Sequence, residues 1–227
     1  ITNKEWHYVK NGHKTATFPQ DSWGLISKGM ACIDEKDGSL FHQSPGHGII
    51  NIVHDPWRPV PAIGGHLGTK PGPAERSEID ARTDIATFTS PPLKKSILLN
   101  GIPTLKVKAQ SDQEGFDLCI ALSKVSKSMG KVEQLSTGFL RLKGQQAKEC
   151  LARTVSLQPL LAEVQEKERL RISISGSAWP AIGVNPGKEG QKSGAPSIHS
   201  MVTTITLSLE GSEFVICPLI GKYIEKD

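Results

Sequence analysis

Apolar and polar residues alternate through most of the second half of the chain. In residues 104–109, Leu105, Val107 and Ala109 alternate with Lys106 and Lys108, the period of two of a half-buried strand. Residues 118–125 put Leu118, Ile120 and Leu122 on one face and Cys119 and Ala121 on the other. Both faces are apolar, so burial on both sides is expected. A turn at residues 126–130 separates this run from strands predicted over 132–135 and 137–142. Residues 150–157 alternate Leu151, Arg153, Val155 and Leu157. Arg169–Ser175 points Leu170, Ile172 and Ile174 inward and Arg171, Ser173 and Ser175 outward. Residues 202–209 and 213–219 read as a closing hairpin around Glu210, Gly211 and Ser212. Pro159 is placed to start one helical turn reaching Val164. Upstream, Ile49–His54 is the first firm strand and Ile85–Thr89 the next. Residues 1–48 are irregular, with hairpin-like pieces at 24–33 and 39–41 around an Asp37-Gly38 turn.

Roughly eight to eleven short strands with turn signals between them, and almost no helix, predict an all-β sandwich or jelly roll. One stretch breaks the rhythm. From Asp55 to Thr89 the chain carries Pro56, Pro59 and Pro61, then the Gly64-Gly65 pair, then Pro71-Gly72-Pro73. Prolines hold their predecessors extended and glycines supply free turns, so this is specified irregular backbone. Long ordered loops of this kind serve a function or an interface.

Composition narrows the function classes. The chain has 227 residues and a net charge of +4, with 37% hydrophobic and 22% charged residues. The basic residues are scattered, and Lys94-Lys95 is the only adjacent pair, which argues against nucleic-acid binding. No apolar run reaches the length of a membrane span, so no membrane partner is expected. The four cysteines, at 32, 119, 150 and 217, are far apart and lack a C-x-x-C spacing. Cys119 and Cys217 read as small buried hydrophobes, and free thiols suggest a cytoplasmic protein. Ile1 does not begin a signal peptide, and a chain that opens without Met reads as a fragment.

Catalytic chemistry finds little support in the residues. The nucleophile elbow G-x-S-x-G is absent, as is any strand–helix alternation that would build an α/β-hydrolase sheet. The seven histidines have no Ser and Asp in recognisable order with them. His42, His47 and His54 lie near one another in sequence, yet no helical H-x-x-x-H or dense carboxylate loop accompanies them; no metal and no cofactor are expected. Trp57 and Trp179 are the loop aromatics a sugar could stack on, but their proline neighbours favour packing against the sandwich or a neighbouring domain. Arg82 and Asp84, two apart at an expected strand start, read as a structural ion pair fixing the exit of the loop.

The stretch also carries a resemblance. Asp55, Pro56, Pro59, Val60, Pro61, Gly64 and Gly65 are followed by Gly72, Pro73 and Arg76, then by Arg82, Asp84, Ile85 and Phe88. Gly138 and Arg141 give a G-x-x-R pair. Arg169, Leu170, Arg171, Ile174, Ser175, Ser177, Trp179, Pro180 and Asn185 complete the order. This series resembles the C-terminal non-catalytic domain of the X-Pro dipeptidyl-peptidase and cocaine esterase-like (CocE/NonD) family of serine hydrolases. It covers roughly Trp6 to Ile220. Lys167 stands where the family often has Gly, so a differently built turn is expected there, and Gly176 replaces a frequent Ser.

The resemblance implies a galactose-binding-domain-like jelly roll at 49–227, reached by a linking arm at 1–48 from an N-terminal α/β-hydrolase domain. The triad would lie in that domain, with no catalytic residue here. The whole enzyme would cleave an ester or X-Pro amide, and this part would brace the catalytic domain, with room for a homo-oligomer contact. His66, Leu67, Gly68 and Thr69 would help wall the acyl substrate's pocket. The alternative is an independent carbohydrate- or small-ligand-binding module, and a third reading is a purely structural assembly domain.

Overall fold

The computed structural model describes residues 48–65, 71–94 and 96–216, with strand segments at 5–10, 14–19, 29–33, 40–42 and 224–225. The expected pocket-wall residues His66, Leu67, Gly68 and Thr69 lie outside the described residues, as do the Asp37-Gly38 turn and Cys217.

The described chain is built almost wholly of strands: β1 (Glu5–Lys10), β2 (Lys14–Pro19), β3 (Gly29–Ile33), β4 (Leu40–His42), β5 (Ile49–His54), β6 (Ala74–Glu75), β7 (Ile85–Thr89), β8 (Ile97–Gly101), β9 (Thr104–Ser111), β10 (Gly115–Val125), β11 (Val132–Lys143), β12 (Leu151–Ser156), β13 (Leu160–Val164), β14 (Arg169–Ser175), β15 (Thr203–Ile216) and β16 (Ile224–Glu225). One helical turn, α1 (Ser77–Asp80), precedes β7. A five-stranded antiparallel sheet runs β6-β11-β10-β14-β7, and a six-stranded one runs β12-β9-β15-β3-β4, with β5 also pairing β15. β8 pairs with β13, and β1, β2 and β16 form a small sheet.

The two large sheets enclose one core, an all-β sandwich. β9 contributes Leu105, Val107 and Ala109, and β15 contributes Ile205, Leu207 and Leu209. From the facing sheet come Leu118, Ile120 and Leu122 of β10 and Ile172 and Ile174 of β14. Each fully buried Leu or Ile contributes about 1.5–3 kcal/mol, so the period-two pattern selects this layering over any other. β10 is buried on both faces, as its sequence predicts. Its second face is what the irregular stretch covers.

Three expectations are corrected. Residues 160–164 form strand β13, paired Leu160↔Gly101 through Val164↔Ile97, and not a helical turn. Buried Leu160 and Val164 fit either period, and β8, unforeseen beside Pro91 and Pro92, decides the matter by supplying a ladder partner. Residues 203–216 form one strand, not a hairpin: the register against β9 shifts between Ser208 and Glu213, so the expected turn residues become an irregularity within the strand. Buried Ser212 donates its hydroxyl to the Ser208 carbonyl at 3.1 Å there. The two runs expected over 132–142 fuse into β11, whose irregularity lies opposite Leu122 and Ser123.

Candidate functional site

The irregular stretch is fastened onto the outer face of the five-stranded sheet. Asp55 Oδ1 accepts the Trp57 N–H at 2.9 Å, and the Asp55 carbonyl accepts Arg58 N–H at 3.1 Å, which turns the chain at the end of β5. The next residues zip onto the segment after β14. Val60 N–H donates to Ser177 Oγ at 2.8 Å, Trp179 N–H to the Val60 carbonyl at 2.8 Å, and Ala62 N–H to the Trp179 carbonyl at 2.6 Å. Pro59 and Pro61 have no N–H, so the intervening Val60 and Ala62 carry all the donating. Beyond them Gly65 and Gly72 exchange both hydrogen bonds at 2.9 Å, closing a neck around the segment between them. Gly64 sits at φ +54, and a Cβ there would lie 2.4 Å from the Gly72 carbonyl oxygen; glycine is required at this crossing.

Two buried polar clusters hold the ends of this roof. Arg76 donates from Nε to Asp80 Oδ1 at 2.8 Å and from Nη1 to Gln134 Oε1 at 2.6 Å, and Gln134 Nε2 donates to the Ile63 carbonyl at 2.7 Å. Arg171 Nη1 approaches the same Asp80 at 3.5 Å. In the second cluster, fully buried Asp117 takes both arms of Arg141 at 2.9 and 2.6 Å and the Asn185 amide at 2.9 Å. Arg141 also donates to the Gly183 carbonyl. Arg82 and Asp84 meet as a two-bond pair at 2.8 and 2.6 Å, and Arg82 reaches the Arg58 carbonyl at 2.8 Å. They occupy the turn before β7, one step earlier than the expected strand start.

Between roof and sheet lies a partly open cavity of about 280 Å³. Its floor is the outer face of β10, where Cys119 and Ala121 alternate with core residues. Ile63 and Ile182 come from the roof and Thr137 and Phe139 from β11. The nucleophile–base pairing of an acyl-transfer site is not among the described residues here. Burial, and secondarily Asp117, push the Cys119 thiol well above its usual range despite the opposing pull of Arg141, so it stays protonated and weakly nucleophilic. Ser175 donates to the Ser177 carbonyl at 3.0 Å, while Ser177 itself accepts from Val60. His54 does not line the cavity; it is packed against Gly176. Among the described residues no group of three His, Cys, Asp or Glu side chains is placed to hold a metal ion. Of the two loop tryptophans, Trp57 is 59% exposed on the sandwich and Trp179 is half-buried.

Sequence reasoning picked out Arg76, Gly138, Arg141, Arg171 and Asn185 by their order and missed the groups they bind, Asp80, Asp117 and Gln134. Asp117 had a readable signal: a carboxylate inside a run apolar on both faces must find a cation.

The chain matches the family model of the X-Pro dipeptidyl-peptidase C-terminal non-catalytic domain over residues 3–213. No curated protein matches the sequence. Among solved structures, an aminopeptidase from the marine sediment archaeon Thaumarchaeota archaeon is 16% identical at a TM-score of 0.75, over 90% of this chain and 39% of that one. An α-amino acid ester hydrolase is 18% identical at 0.70, over 86% and 36%. A CocE/NonD family hydrolase from Staphylococcus aureus is 13% identical at 0.62, over 95% and 41%. At these identities the likeness is one of fold, and this chain spans less than half the length of each.

Proposed function

The chain belongs to the family of X-Pro dipeptidyl-peptidase C-terminal non-catalytic domains, and from that membership we propose that it is the accessory sandwich of a longer serine hydrolase acting on esters or X-Pro amides. In this reading its partner is an N-terminal α/β-hydrolase domain, residues 1–48 form the arm from that domain, and 49–227 form a jelly roll of galactose-binding type. The sandwich braces the catalytic domain, and His66, Leu67, Gly68 and Thr69 help wall the substrate pocket. The observation that carries the reading is the fastening of residues 60–65. The Val60–Trp179 bonds and the Gly65–Gly72 neck hold the base of that loop against a rigid sheet, which is how a scaffold presents a functional loop. The Arg82–Asp84 pair, reaching back to Arg58, supports the same roof from its other side.

The test compares the 227-residue chain with the longer product of its gene on an aminoacyl ester and an X-Pro anilide. Turnover by the longer protein alone is expected. Turnover by this chain, abolished by a serine-directed inhibitor, would overturn the reading. In the longer protein, Leu67→Ala and Thr69→Ala should change kcat/KM between the two substrates unequally, and an unchanged preference removes the pocket-wall role.

A further inference from the structure

We propose that the cavity beneath the irregular stretch is a binding site for a small carboxylate with an apolar body. Among the described residues its lining carries one charged side chain, Arg76, and no acid. The Arg76 side chain is 8% exposed. Its Nε and Nη1 are bound to Asp80 and Gln134, whereas its Nη2 has no partner among the described residues. Asp80 is shared with Arg171, whose side chain is 18% exposed, so the cluster sets two guanidinium groups against one carboxylate. A second anion would complete the count. A charge-assisted bond from a buried arginine to a carboxylate is strong and directional.

The remaining walls decide what the acid is attached to. Ile63, Ala121, Phe139 and Ile182 face the space. Several polar groups that could read a sugar are already engaged: Gln134 with Arg76 and Ile63, Ser175 with Ser177, and Ser177 with Val60. Thr137, Ser156 and Gln158 are the uncommitted polar side chains left for a sugar's many hydroxyls, and each hydroxyl short of a partner would cost about 1–3 kcal/mol, whereas an aryl or branched alkyl group needs none. The volume lies just under the ~300–1,000 Å³ of common small-molecule sites, which suits an acid of arylalkanoate size. This site belongs to the sandwich itself and stands apart from the hydrolase reading.

The experiment titrates the isotopically labelled 227-residue chain with 3-phenylpropanoate and, separately, with its neutral isostere 3-phenylpropanamide, following backbone amide shifts. The acid should shift the amides of Gly64, Ala121, Gly138 and Ala178 saturably, and the amide should bind about tenfold more weakly for loss of the charge-assisted bond. Ala181→Phe, at a half-buried lining position, should fill the cavity and abolish the shifts while the rest of the spectrum stays native. Arg76→Gln, if it folds, should erase the acid's advantage; if it does not fold, the acid–amide comparison and Ala181→Phe carry the test. Equal binding of acid and amide, saturable binding unaffected by Ala181→Phe, or no saturable shift overturns the proposal. Because this measurement reads only the sandwich, its failure leaves the accessory reading standing, and failure of the turnover assay leaves the site standing.

Discussion

His54 is 2% exposed at the end of β5, and its Nε2 has no hydrogen-bond partner among the described residues. It accounts for the glycine at 176: a Cβ there would lie 2.7 Å from the His54 Cβ, 2.9 Å from its Cγ and 3.0 Å from Ile205 Cδ1. Burial pushes the His54 pKa below 6.5, with Asp117, Asp55 and Asp84 pulling more weakly upward. The folded state thus keeps the ring neutral while the unfolded chain takes up a proton near its ordinary value. Stability is fully present above that value and is lost as pH falls below it. The unfolding free energy from urea melts should drop on going from about pH 7.5 to pH 5.5, by no more than about 1.4 kcal/mol per pH unit from this group. In His54→Asn that part of the slope should vanish. Asp117 poses the opposite problem, a charge that must be kept. Asp117→Ala would strand Arg141 and the Asn185 amide, and a loss of about 3–5 kcal/mol in urea unfolding is expected. Lys167 is a residue-level departure with a visible backbone consequence. It sits at φ +70, so the turn carries a lysine in the left-handed backbone that glycine favours.

At the scale of elements, strands with strict alternation were legible. β9 shows one apolar face, and nothing competes with a period of two; β14 is legible as a strand, though its outward Ser173 and Ser175 are buried. Elements that needed a partner to define them were not legible. β13 is short enough to satisfy two periods, and the Glu210–Ser212 segment that ends a strand in sequence is absorbed into β15. A close approach between strands is likewise invisible until they are paired. Gly138 meets Leu157 in an isolated bridge, where a Cβ would lie 2.8 Å from the Ser156 carbonyl oxygen and 3.1 Å from Leu157 Cα. Both are backbone atoms with little room to yield. Gly138→Ala should therefore destabilise by about 1–3 kcal/mol. Gly130→Ala, whose nearest neighbour would be Ser128 Oγ at 3.6 Å, should not. Thermal unfolding of the two variants side by side separates overlap from a general loss of glycine.

At the scale of the molecule, the sandwich was readable because burying two apolar faces has few solutions. The cavity was not readable, because its floor belongs to β10, its roof to segments before β6 and after β14, and its charge to Arg76. No periodicity links such distant parts; they are joined by side chains reaching carbonyls, such as Gln134 to Ile63.

The Gly65–Gly72 neck has a consequence for descent. Both ends of the intervening segment are tied to each other before it begins, so lengthening it costs about 0.6 kcal/mol of closure entropy for each doubling. Insertions, deletions and grafted sequences can be tried there with both ends of the segment held in the same frame.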